Sequence, residues 1–141
     1  AEANVGAIAT QAYANTSYGP RGLAMLKLGF SAKETLQKLV EKDEGRDHRQ
    51  IGIVDAWGQA VAYTGKACYE WAGHIVGDGY AVQGNILVSR RTVEAMAEAF
   101  ERIKGPLAKR LLEALRAGQK AGGDRRGQQS AAIIVVKEKG G

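Results

Sequence analysis

Three residues that lie far apart in the chain, Asn85, His74 and Asp124, carry the chemistry of a polar catalytic site. Asn85 follows Gly84 inside the otherwise apolar stretch YAVQGNILV, where its amide is placed to donate to a developing oxyanion or to satisfy the backbone of a bulge. His74 titrates nearest neutrality and suits a general acid or base, or a structural hydrogen bond. Asp124 belongs to the densest run of directional groups, AGGDRRGQQSA at residues 121–131. There a bidentate pair between Asp124 and Arg125 would fix the loop and leave the other guanidinium to bind a carboxylate or brace strand ends. A plain helix-to-strand connector, its glycines ending the helix, is the alternative. The density of planar groups favours a place in or beside a polar pocket.

Around these three, a substrate-binding set is expected from Arg125, Thr10, Gln11, Asn15, Arg21, Gln129 and Ser130. Thr10, Gln11 and Asn15 alternate imperfectly with apolar neighbours, so the pattern points them either into a pocket or toward solvent. Ser17 and Tyr18 fit the same rim, and Arg21 at a helix start suits a carboxylate. Cys68 is the sole cysteine, which excludes an intrachain disulfide and a cysteine-cluster metal site. As a nucleophile it would need a base beside it, so it reads first as a small buried hydrophobe. His48, within GRDHRQ, reads as a surface or hinge residue. Two histidines without a spacing motif offer no metal site, and no cofactor is expected.

The chain that must position these groups has 141 residues, 45% hydrophobic and 25% charged. That is enough for one domain over residues 1–141 with one real core. No apolar run is long enough to cross a bilayer and no signal pattern opens the chain. A cytoplasmic location is expected, with a secreted or envelope location open if a signal is removed upstream. The net charge of +5 comes from the C-terminal third. There, however, acids and bases alternate along helix faces, and no aromatic residues interleave with the bases, so nucleic acid is not an expected partner.

Hydrophobic period orders the elements. VGAIATQAYA reads as a strand, and a helix follows Pro20 with Leu23, Met25 and Leu26 on its apolar face. Ser31 and Glu34 form a capping box for the next helix, which buries Leu36, Leu39 and Val40 and ends near Gly45. A hairpin spans IGIVDAWGQAVAYTG around a turn at Asp55 to Gly58; CYEWAGHIVGDG reads as a polar, glycine-rich connection; YAVQGNILV is a further strand. A second helix pair carries Val93, Met96, Ala97 and Phe100, then Leu107, Leu111, Leu112 and Leu115, and AAIIVV closes the chain as an apolar strand. A strand apolar on both sides must be covered on both faces. A four-layer sandwich of helices, sheet, sheet, helices does this, with a three-layer α/β sheet as the alternative.

Five motifs in order, ATQAYANTSYGPRGL, GRDHRQ, WAGH, YAVQGN and AGGDRRGQQSA, resemble a bacterial and archaeal domain-of-unknown-function family regarded as N-terminal-nucleophile (Ntn) hydrolases, sometimes as secreted acylhydrolases. The resemblance covers essentially the whole chain. It implies an α+β fold, the four-layer αββα sandwich, and hydrolysis of an amide or related acyl bond on a small polar substrate. A non-catalytic ligand-binding module on the same scaffold, with a cell-envelope association open, is the alternative class. Members of that family begin with a further hairpin upstream of VGAIATQ, so the chain is expected to lack its first two strands. Ala1 has neither hydroxyl nor thiol, so an Ntn nucleophile is missing, supplied by another chain, or never existed. A second polypeptide, either a cleaved N-terminal segment or a homo-oligomer mate, is then expected to cover the edge from Val5 to Thr10.

Overall fold

The computed structural model describes residues 1–139. It is a mixed α+β fold with two small antiparallel sheets and four helices. Strand β1 (Gly6–Ala12) leads into helix α1 (Tyr18–Lys27) and helix α2 (Ala32–Glu41), and a single 3-10 turn over Arg46–His48 returns the chain to the sheet. Strands β2 (Arg49–Asp55) and β3 (Ala60–Thr64) complete a sheet of order β1-β2-β3. Strands β4 (Gly73–Gly77) and β5 (Tyr80–Gly84) form the second sheet, followed by helices α3 (Arg91–Arg102) and α4 (Leu107–Lys120).

Local chemistry accounts for most of these bounds. Ser31 and Glu34 close the expected capping box at the start of α2. Asp55 builds the β2–β3 turn by accepting from the backbone N–H groups of Trp57 and Gln59, and its other oxygen accepts from Ala32 N–H, which ties the turn to α2. Pro106 caps α4, where it has no N–H to leave unpaired.

Strand register sorts the side chains. In the first sheet Ile8, Ile51 and Ile53 face α1 and α2 and pack with Tyr18, Leu26 and Leu39. This contact is close because residue 22 is glycine: a Cβ there would lie 2.3 Å from Ile8 Cδ1. In the second sheet Tyr80 and Val82 face α3 and α4 and pack with Leu87, Val93, Ala97 and Phe100. The opposite faces of the two sheets meet each other. Across that seam Gly52 of β2 receives the Gln83 side chain of β5, whose Oε1 would lie 2.5 Å from a Cβ at residue 52. The second sheet covers β2 and β3 but leaves Ala7 and Ala9 of β1 exposed.

Two expectations are corrected. The segment CYEWAGHIVGDG contains strand β4, with Ile75 turned into the core between His74 and Val76; the surrounding glycines hide this alternation. The closing segment AAIIVV is not a strand. Ile133, Ile134, Val135 and Val136 are exposed, Ile134 at 74%, and no other described segment pairs with them. A strand exists only where a neighbour takes its backbone N–H and C=O groups, and apolar composition cannot supply that neighbour. Among the described residues no helix is long and apolar enough to cross a membrane.

Candidate functional site

At the seam between the sheets lies Gln50, a fully buried glutamine at the start of β2. Its Nε2 donates to the carbonyl oxygens of Gly84 (2.9 Å) and Gly73 (3.1 Å) and to Thr64 Oγ1 (2.9 Å). A carbonyl can only accept, so the amide orientation is fixed and Oε1 must face the other way. There it accepts from Gln11 Nε2 (3.0 Å) and Asn85 Nδ2 (3.2 Å). Gln11 Nε2 also reaches the Gln83 carbonyl at 3.2 Å. The nitrogens of Gln11 and Asn85 thus point at Gln50, and their own carbonyl oxygens accept nothing from the described residues.

These amides form one wall of a cavity of about 580 Å³, the larger of the two described. Gln11, Gln83, Asn85 and Cys68 line the polar side, Met96, Ile86, Leu87 and Leu115 an apolar side, and Asp124, Arg126 and Ser130 the rim. Gln83 and Thr92 each also bury one polar atom without a hydrogen-bond partner, where a partner is the rule: Gln83 Oε1, packed against Gly52 at the seam, and Thr92 Oγ1. Tyr13 and Tyr69 stand at the mouth, each 57% exposed, with hydroxyls 3.2 Å apart.

Of the three proposed catalytic residues, Asn85 and Asp124 share this cavity and His74 does not line it. His74 is instead linked to it: its Nδ1 lies 2.8 Å from Thr64 Oγ1, which accepts from Gln50. Since Gln50 supplies a hydrogen to Thr64, the threonine hydroxyl is free to donate to a neutral His74. Partial burial lowers the His74 pKa and favours that neutral form.

The loop after α4 departs from its expected pairing. Asp124 binds Arg126, not Arg125: Arg126 Nη2 lies 2.7 Å from Oδ2, and Nε (3.0 Å) and backbone N–H (2.8 Å) from Oδ1. These bonds hold the Asp124 carboxyl down at about 2. Arg125 turns away, its guanidinium donating to the Glu70 carbonyl and its backbone N–H to the Ile86 carbonyl. The turn over Arg125 and Arg126 brings the side chain and backbone N–H of Arg126 onto one carboxylate, while Arg125 spends its donors on the Glu70 and Ile86 carbonyls. Together with the bond from Val88 N–H to the Gly123 carbonyl, this stitches the loop beside residues 86–88 at the cavity rim.

The other expected binding residues divide. Gln11 and Ser130 line the cavity. Thr10 faces the helices, paired in register with Ile51, because its strand neighbours alternate sides. Asn15 accepts from the Ser17 N–H and hydroxyl and donates to Asp43, so it builds a turn away from the cavity. Arg21 is exposed on α1, and the Gln129 side chain hydrogen-bonds only to Gly127 and Gln128 of its own loop. Tyr18 is buried, its hydroxyl donating to Asp43 at 2.8 Å. Cys68 lines the cavity, but its thiol donates to the Arg49 carbonyl and burial pushes its pKa up. Among the described residues no cluster of His, Cys, Asp and Glu is disposed to hold a metal ion. Sequence reasoning missed Gln50 and Gln83; the only signal was a polar residue at the inward position of an apolar strand, twice.

The sequence matches a family of unknown function, DUF1028, over residues 1–140. No curated protein matches it. A crystal structure of a Silicibacter pomeroyi protein of the same family is similar at a TM-score of 0.81 and 32% identity. The similarity covers 84% of this chain and 53% of that one, so the chain spans about half the length of this relative.

Proposed function

The chain belongs to DUF1028, a family of unknown function, and on that premise we propose that its cavity binds a small polar substrate whose amide or related acyl bond the protein hydrolyses. The observation that carries this reading is the unspent hydrogen-bonding capacity of the polar side, where Gln11 and Asn85 line the cavity with side-chain oxygens that accept nothing from the described residues. A polar ligand can take up that capacity. Asn85, with one Nδ2 hydrogen uncommitted, is the group to stabilise an oxyanion. His74 acts through Thr64 and Gln50 as a positioning residue. The packing of α1 and α2 on one sheet, of α3 and α4 on the other, and of the two sheets on each other supports a four-layer sandwich of the Ntn type.

A second polypeptide over the β1 edge belongs to the same proposal. Its support is the outer edge of β1, which pairs on one side with β2 alone, next to the exposed Ala7 and Ala9. Light scattering of the purified protein tests it, since a strictly monomeric, well-folded species of 15.0 kDa would remove it.

One observation favours a ligand-binding module without catalysis: the Cys68 thiol, a nucleophile lining the cavity, is spent on a backbone carbonyl and has no base beside it. Incubation with primary carboxamides and N-acyl amino acids, followed by assay of released ammonia or amine, separates the readings. Release abolished by Asn85→Ala is the outcome expected of a hydrolase. Saturable binding without release assigns the module, and neither binding nor release overturns both.

A further inference from the structure

We infer that residues 131–136, AAIIVV, form an internal strap that docks as a third strand on the free edge of β5 and there competes with the ligand of the cavity. The competition rests on the reading of that cavity as a ligand site; the docking does not.

The sheet of β4 and β5 has two strands, so the outer side of β5 has no backbone partner among the described residues. Just past β5 that same side is already taken, by the chain that leads to the strap. Leu87 exchanges both of its backbone bonds with Trp71, on the β4 side. Facing the other way, the Ile86 carbonyl accepts from Arg125 N–H and Val88 N–H donates to the Gly123 carbonyl. The bridge so made between Leu87 and Asp124 is antiparallel, and a chain that continues it beyond Asp124 runs along β5 from Gly84 toward Tyr80. Gly127, at φ +91 with nothing within 4 Å of the place for a Cβ, is the joint at which the chain now leaves that course.

The seat suits the strap's residues. Ile133 to Val136 are 40–74% exposed where they lie in the structure. A run apolar at successive positions needs cover on both faces, and a strand beside β5 has it. Met96 and Leu115 of the helix pair line one side of the space, and β1 lies on the other with Ala7 and Ala9 uncovered. Gln83 Nε2 donates to the Ala9 carbonyl at 3.5 Å, which sets β1 beneath the β5 edge. The outer edge of β1 is free as well, but no hydrogen bond among the described residues joins β1 to the loop that carries the strap.

That space is the cavity itself. Gln83 and Gly84 of β5 line it, and Ser130, the residue before the strap, stands at its rim. Paired strands lie about 4.8 Å apart, so a strand bonded to β5 runs inside the cavity and takes the room a ligand needs.

Amide hydrogen exchange on the isotope-labelled whole chain reads the docking without any ligand. Alternate N–H groups of residues 131–136 should exchange at least about threefold more slowly than the same groups in Ile134→Pro, a change at an exposed position that breaks strand pairing and spares the rest of the fold. Ile133→Asp, which would set a charge between two apolar faces, should free the strap equally. If about a third of the parent molecules are undocked, both variants should also bind N-acetylglutamine about threefold more tightly than the parent. Equal exchange in all three chains overturns the strap and leaves the ligand site standing. Protection that grows with protein concentration gives the seat to a second copy and overturns internal docking. Concentration-independent protection with equal N-acetylglutamine affinity in all three overturns the competition alone. The same protection with no N-acetylglutamine bound by any of them upholds the docked strap and overturns the ligand reading.

Discussion

Arg49 and Gln50 are neighbours on β2, and because successive strand residues point to opposite faces they serve two unlike polar clusters. Arg49 meets Asp43, whose carboxylate also accepts from Asn15, Tyr18 and the Gly45 N–H. That cluster is charged and closed: the Arg49 guanidinium, first among these partners, holds the Asp43 carboxyl far below the usual range, while burial and then Asp43 push the Tyr18 hydroxyl up. Gln50 meets Gln11, Asn85 and Thr64 in a cluster that is neutral and left open at the cavity. The difference shows where a protein can leave polar capacity unused. An unpaired charge in the interior costs several kcal/mol, whereas an unpaired neutral acceptor costs about 1–3 kcal/mol. A binding wall is therefore affordable on the Gln50 side only, and the Asp43 side serves to lock the chain between α1, α2 and β2.

The contrast breaks most visibly at Asp43. Asp43→Ala strands the Arg49 charge and the buried Tyr18 hydroxyl and should destabilise the domain by about 3 kcal/mol or more, read by urea unfolding. Binding of a primary carboxamide by the folded fraction should be unchanged. Gln50→Leu should cost less, about 2 kcal/mol from stranded carbonyls and amides, yet abolish binding. A Gln50→Leu variant that binds normally would dissolve the distinction between the two clusters.

Acid should separate them as well. Asp43 is depressed in the fold, so the unfolded chain binds its proton first; the stability this gives is complete above the ordinary carboxylate pKa of about 4 and is lost as pH falls below it. His74 is also depressed, and its smaller contribution is lost earlier, as pH falls below about 6.5. Melting temperatures measured from pH 8 to pH 3 should fall in these two steps, and His74→Gln should remove the first alone. The smallest effect is expected at the rim: Asp124→Ala breaks a largely exposed pair with Arg126 and should shift the melting temperature by no more than about 2 °C. A larger shift would make the rim loop a structural lock like Asp43.

Much of the frame was legible in the residues. The capping box at Ser31, the hairpin around Asp55 and the apolar stripes of α3 and α4 are local signals, decided within a few residues of chain. Asn85 and Asp124 stood out because directional groups interrupted apolar or glycine-rich surroundings, and both line the cavity. The expected sandwich rested in part on AAIIVV as a buried strand, a premise the structure does not bear out.

By itself the sequence determined the order and type of most elements and the polar character of the loop after α4, because helical and strand periods, caps and turns are properties of neighbours in the chain. Tertiary structure decided the rest. Whether Asp124 would take Arg125 or Arg126, whether Tyr18 would line a rim or anchor a core, and whether His74 would enter the cavity or reach it through Thr64 depended on which faces met. Above all it made Gln50 the centre of the site. One glutamine in a strand carries no local mark of its role, and its five partners come from β1, β3, β4, β5 and the turn after β5, brought within about 3 Å only when the two sheets close on each other.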